Sequence, residues 1–148
     1  MVATIAAVLL FAPAAEPPKL SEAAEKELKK FEGKWNLVKE ITPEGEREAA
    51  EERVLEIKGR KLTVTLQEKI ELEISSLDPT TDPKCIDLKT LAKTGGIPEG
   101  VVIEAIYKFD GDTLTMAGYA GEAKKRPANF DAPKDPGHGI WVLKRIKD

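Results

Sequence analysis

The chain has 148 residues, 41% hydrophobic and 33% charged, a balance that fits one soluble globular domain and excludes a wholly disordered chain. Its 23 basic and 26 acidic residues give a formal charge of -3, so no basic excess exists to neutralise a phosphate backbone and nucleic acid is not expected as a partner. One Cys and one His rule out an intramolecular disulfide and a zinc site built from Cys and His.

Residues 2–15 carry no charge, Ala3 to Phe11 form an apolar run, and Ala12-Pro13-Ala14 is a small-x-small site. This reads as a secretory signal peptide over 1–15, although Lys and Arg are missing ahead of the run. The run falls short of the roughly 20 apolar residues that a transmembrane helix needs. Pro13, Pro17 and Pro18 break any regular element there, and no Cys follows that could carry a lipid. The expectation is an exported protein, periplasmic or extracellular, that does not span the membrane.

Residues 16–30 read as a linker and a short helix, and 31–148 as the main domain. The helix is expected over Ser21 to Phe31, with Ser21 as N-cap and Leu20, Ala24, Leu28 and Phe31 on one face. Lys29 and Lys30 suit its last turn, and Gly33 can end it. The hydrophobic period then changes to two. Trp35, Leu37, Lys39 and Ile41 are expected to share one strand face before a Thr42-Pro43-Glu44-Gly45 turn. Glu46 to Glu52 reads as loop or frayed strand. Val54 to Ile57 and Lys61 to Gln67 flank a tight turn at Gly59, with Leu62, Val64 and Leu66 on one side of the second run. Ile70, Leu72 and Ile74 repeat the alternation. Past a Pro-rich loop, Cys85 to Leu91 is a strand with Ile86 and Leu88 inward. Val101 to Phe109 and Thr113 to Gly118 form a hairpin about Asp110-Gly111-Asp112. Tyr119 to Gly137 is a long excursion, and Ile140 to Ile146 the last strand.

About eight short strands after one helix, without helices between them, predict an all-β fold: an eight-stranded antiparallel barrel with a short N-terminal helix. Closure removes the edges that an open sheet would expose. Such a barrel is either filled by side chains or holds one small ligand.

Four segments occur in an order that carries a resemblance: Phe31-Glu32-Gly33-Lys34-Trp35-Asn36-Leu37-Val38, Lys84-Cys85-Ile86-Asp87-Leu88, Ile106 to Leu114, and Lys125-Arg126-Pro127-Ala128-Asn129-Phe130 leading to Gly139–Arg145. Together they resemble an uncharacterised domain family expanded in planctomycete bacteria, whose members are often short exported proteins, over about Leu28 to Arg145. The chain is also similar to lipocalins through Gly33 and Trp35 at the start of the first strand. That likeness implies a pairing of Trp35 with an Arg beyond the last strand, for which Arg145 is the candidate. Independently, an Arg on a closing strand can stack on an indole and cap free carbonyls, a structural role.

No catalytic constellation emerges. His138, without a second His or a nucleophile motif beside it, reads as a loop residue before the last strand. Asp110 and Asp112 are explained by the hairpin turn, and Asp78 and Asp82 by Asx-turns, so no metal site is expected. Cys85 reads as a small buried apolar residue. Lys124, Lys125 and Arg126 form a basic cluster, and Phe130 is expected to anchor the long segment onto the barrel. The candidates for contact with a ligand are Tyr107, Met116, Arg126 and Phe130. Leu62, Val64, Leu72 and Ile103 join Tyr107 and Met116 as possible cavity liners. The functional expectation is a non-enzymatic domain that needs no cofactor and binds a small apolar molecule or an envelope protein. The alternatives are an interaction domain with a filled barrel and, less favoured, an enzyme using carboxylates and the Lys125–Arg126 loop.

Overall fold

The structure is a computed structural model that describes residues 19–49, 52–65, 68–93, 97–119 and 125–147. The expected signal peptide, Leu66 and Lys124 lie outside these residues.

Helix α1 spans Glu22–Phe31. The Ser21 hydroxyl accepts the Ala24 amide at 3.1 Å, and Glu22 and Glu25 face the positive end of the helix dipole. Its buried side holds Ala24, Glu27 and Phe31. Nine strands follow: β1 (Gly33–Thr42), β2 (Gly45–Glu48), β3 (Val54–Lys58), β4 (Lys61–Thr65), β5 (Lys69–Asp78), β6 (Lys84–Thr90), β7 (Val102–Asp110), β8 (Thr113–Tyr119) and β9 (His138–Arg145).

Every neighbouring pair is antiparallel, and β9 pairs back onto β1, so eight strands close into a barrel with β2 as an extra strand. Of Glu46–Glu52, read as loop or frayed strand, the first three residues belong to β2. Strands β2 and β3 both pair with the same side of β1, which meets β2 at Lys39↔Glu48 and β3 at Asn36↔Val54. Between these pairs β1 has two residues and the opposing chain has five, so β2 and β3 read as one barrel strand interrupted by extra residues.

Two register shifts bend the wall, one at Leu37/Lys39 against β9 and one at Ile74/Ser76 against β6. The first overturns the expectation that Ile41 shares a face with Trp35. A bulge reverses which side successive residues face, so Trp35 and Leu37 point into the barrel while Ile41 packs on the outer wall.

The main core lies inside the barrel. Helix α1 covers one end, where Phe31 meets the Tyr107 and Phe109 rings edge-on at 4.9 and 4.8 Å. A smaller apolar group lies on the outer wall. Ile41, Ile140, Ala117, Ile106 and Cys85 are successive cross-strand partners over five strands. Phe130, from the segment before β9, packs against this group. Cys85 is half-buried there rather than fully buried.

Candidate functional site

The strand ends opposite the helix enclose a hollow of about 230 Å3. Small residues widen it on one side. Ala105 lies on its wall, and Gly118 stands opposite Ala105, where an added Cβ would approach the Ala105 methyl to 3.2 Å. The wall is apolar, with Leu62, Val64, Leu72, Ile103 and Met116 among its residues, and Arg53 is its one charged side chain among the described residues. A buried water needs two to four polar partners, so this space suits apolar atoms better than water. A hollow of about 440 Å3 between Glu40, Arg47 and His138 is larger, but it lies among turn and strand-end residues outside the core.

Two residues frame the entrance. Trp141 lines both hollows and is half-buried. Gly139 lets its indole lie flat against the strand, because a Cβ there would come within 2.9 Å of Trp141 Cζ2. Arg53 sits just before β3, where its carbonyl accepts the Leu37 amide at 2.9 Å. Its guanidinium has one ionic neighbour among the described residues, Glu40 Oε2 at 3.7 Å.

Of the residues singled out in the sequence, Met116 lines this cavity together with Leu62, Val64, Leu72 and Ile103. Tyr107 does not. It is buried at the helix end, where its hydroxyl donates to Glu27 Oε1 at 3.1 Å. Lys84 Nζ donates to the same oxygen at 3.1 Å, and Lys30 Nζ lies 2.9 Å from Oε2. Burial pushes the Glu27 carboxyl up, but hydrogen bonds from Lys30, Lys84 and Tyr107 outweigh it and hold the group below the usual carboxylate range. Burial, then the Glu27 charge, pushes the Tyr107 phenol well above its ordinary value. This end of the barrel is a latch for the helix. Glu27 was not among the residues singled out in the sequence, yet it lies seven residues after Leu20 and three after Ala24, within the buried stripe.

Trp35 and Arg145 meet at the same end. The guanidinium stands 4.2 Å from the indole ring and donates to the carbonyls of Glu32 at 2.8 Å and Lys30 at 2.6 Å. One side chain thus covers the ring and satisfies carbonyls at the helix C-terminus. Gly33 takes φ 124°, a conformation that L side chains rarely adopt, and a Cβ there would also lie 2.9 Å from Arg145 Nη1.

Arg126 and Phe130 lie on the outer wall, away from the cavity. Arg126 donates to Ala105 O at 2.6 Å and Asp87 Oδ1 at 2.7 Å. Burial lowers its pKa, but Asp87 more than compensates. Phe130 carries Lys108 Nζ 4.5 Å above its ring. His138 is the first residue of β9 rather than a loop residue, and it is buried with its ring stacked 4.7 Å from Tyr119. Burial depresses its basicity, against a smaller opposing pull from Asp135. Asp112 pairs with Lys147 at 2.8 Å, and Asp78 accepts the Thr80 amide at 2.9 Å.

Among the described residues no helix is long and apolar enough to cross a membrane. No family model, curated protein or solved structure matches the chain.

Proposed function

We propose that this chain is an exported lipocalin-like domain of the planctomycete-expanded family, and that it carries a small apolar molecule in the open half of its barrel without transforming it. The carrying observation is the unfilled apolar hollow of about 230 Å3 behind an entrance framed by Trp141 and Arg53. Its volume lies below the roughly 300–1,000 Å3 of pockets for drug-sized ligands, so the cargo is small. The space also favours a container over a filled interaction domain. The outer apolar row, the natural surface for a protein partner, has Phe130 of the chain's own 125–137 segment packed on it.

A neutral probe tests the reading. Each buried methylene contributes about 0.8 kcal/mol, so 1-octanol is expected to bind with a Kd on the order of 0.1 mM once association costs are included. Trp141 supplies the signal, because the chain has 2 Trp and Trp35 is wholly buried at the far end. Saturable quenching or enhancement is expected in the full chain, and it should be lost in Val64→Phe, which fills the space. Wild-type protein that gives no saturable response, or Val64→Phe that binds as well as wild type, would refute the proposal.

A further inference from the structure

We infer that Arg53 makes this cavity selective for a short apolar chain that ends in a carboxylate, of about eight carbons. The inference rests on the carrier reading and adds the chemistry of the cargo's head.

Three observations meet at Arg53. It is the one charged side chain on an otherwise apolar wall among the described residues. Its side chain is 44% exposed, so the guanidinium is at the mouth and not in the depth of the cavity. And its donors have no hydrogen-bond partner among the described residues. The Glu40 contact of 3.7 Å is an ion pair too long for a hydrogen bond, and the guanidinium makes no hydrogen bond among the described residues. Three other arginines differ. Arg60 donates to Ile74 O and Ser75 O, Arg126 to Ala105 O and Asp87, and Arg145 to Lys30 O and Glu32 O. Those three side chains fasten the fold, whereas the Arg53 fork stands beside an apolar hole with only the long Glu40 contact among the described residues. A carboxylate matches that fork with two parallel bonds.

The length follows from volume. Liquid water occupies about 30 Å3 per molecule, so a cavity of about 230 Å3 takes roughly eight heavy atoms. A chain of that size seated among Leu62, Leu72 and Met116 leaves its head at the mouth. Glu40 competes for the same guanidinium, and Arg47, which borders the hollow shared by Glu40 and Arg53, offsets part of the Glu40 charge; Glu48 stands on the opposite side of that balance. The competition has a consequence: removing the Glu40 charge should tighten the binding of an anion.

The experiment titrates octanoate, 1-octanol and octylammonium into the full chain at pH 7, read by Trp141 fluorescence. In wild type, octanoate is expected to bind about tenfold more tightly than octanol, with octylammonium weakest. Arg53→Gln should abolish the preference for octanoate over octanol, Arg53→Lys should restore part of it, and Glu40→Gln should tighten octanoate a few-fold. Circular dichroism of each variant confirms folding. Octanoate binding no better than octanol in wild type, or a preference that survives in Arg53→Gln, overturns the inference while leaving the carrier reading intact. Failure of all three probes to bind wild type overturns both.

Discussion

Glu27 shows how one buried charge can organise an element. A carboxylate this deep is costly unless it is paired and hydrogen-bonded, and here two ammonium groups and a phenol surround it. Lys84 and Tyr107 belong to barrel strands, so the cluster ties α1 to β6 and β7. Glu27→Gln keeps a partner for Tyr107 but removes the charge opposite both lysines. We expect a loss of about 1–3 kcal/mol at neutral pH, measured by urea denaturation. The pH dependence has a definite sign. The folded carboxyl sits below its ordinary value of 4.5, so its stabilisation is complete above that value and is lost as pH falls through the lower, folded value. The gap between wild type and Glu27→Gln should therefore narrow below about pH 4.5, where the variant has no carboxyl to protonate.

The segment of residues 125–137 has no regular structure, yet it is held at defined points. Arg126 is fixed to β6 and β7 through Asp87 and Ala105 O, and Phe130 covers the outer apolar row under Lys108. Pro127 and Pro133 are buried. The segment thus replaces solvent on an apolar wall that an isolated barrel would expose. Phe130→Ala should destabilise by about 1–3 kcal/mol, less than a fully buried Phe because this ring is half-buried. Limited proteolysis should cut the variant faster within the segment. Octanol affinity should be unaltered, because Phe130 lies outside the cavity.

Closure of the barrel depends on a pairing between the two ends of the domain. Trp35 stands opposite Arg145, and Ile41 opposite Ile140. These contacts are remote in sequence, so folding carries the loop-closure cost of a high-contact-order topology. Ending the chain before His138 would remove β9, strip Arg145 from Trp35 and leave β1 and β8 as open edges. Such a truncation is expected to lose cooperative unfolding and to aggregate, as read by circular dichroism and size-exclusion chromatography. The same architecture separates two tasks. The helix end is tied down by Glu27, Trp35 and Arg145, while the opposite end keeps its space.

Much of this was legible in the residues themselves. A period of two, punctuated by turn chemistry such as Asp110-Gly111-Asp112, specifies antiparallel strands, and Ser21 with its acidic first turn specifies where α1 begins. The pairing of Trp35 with Arg145 was expected from a likeness to lipocalins, and stacking of a guanidinium on an indole gives it a physical reason. The tertiary structure decided what local pattern does not contain. Alternation says which residues share a face, but a bulge after Leu37 sends Ile41 outward, and nothing local marks where a bulge will fall. Tyr107 and Met116 are cross-strand partners facing the same interior, yet one is sealed under the helix and the other lines the hollow. Whether a barrel is full or hollow depends on the summed volumes of side chains from every strand, so only their assembly could show that Ala105, Gly118 and their neighbours leave a space with Arg53 at its mouth.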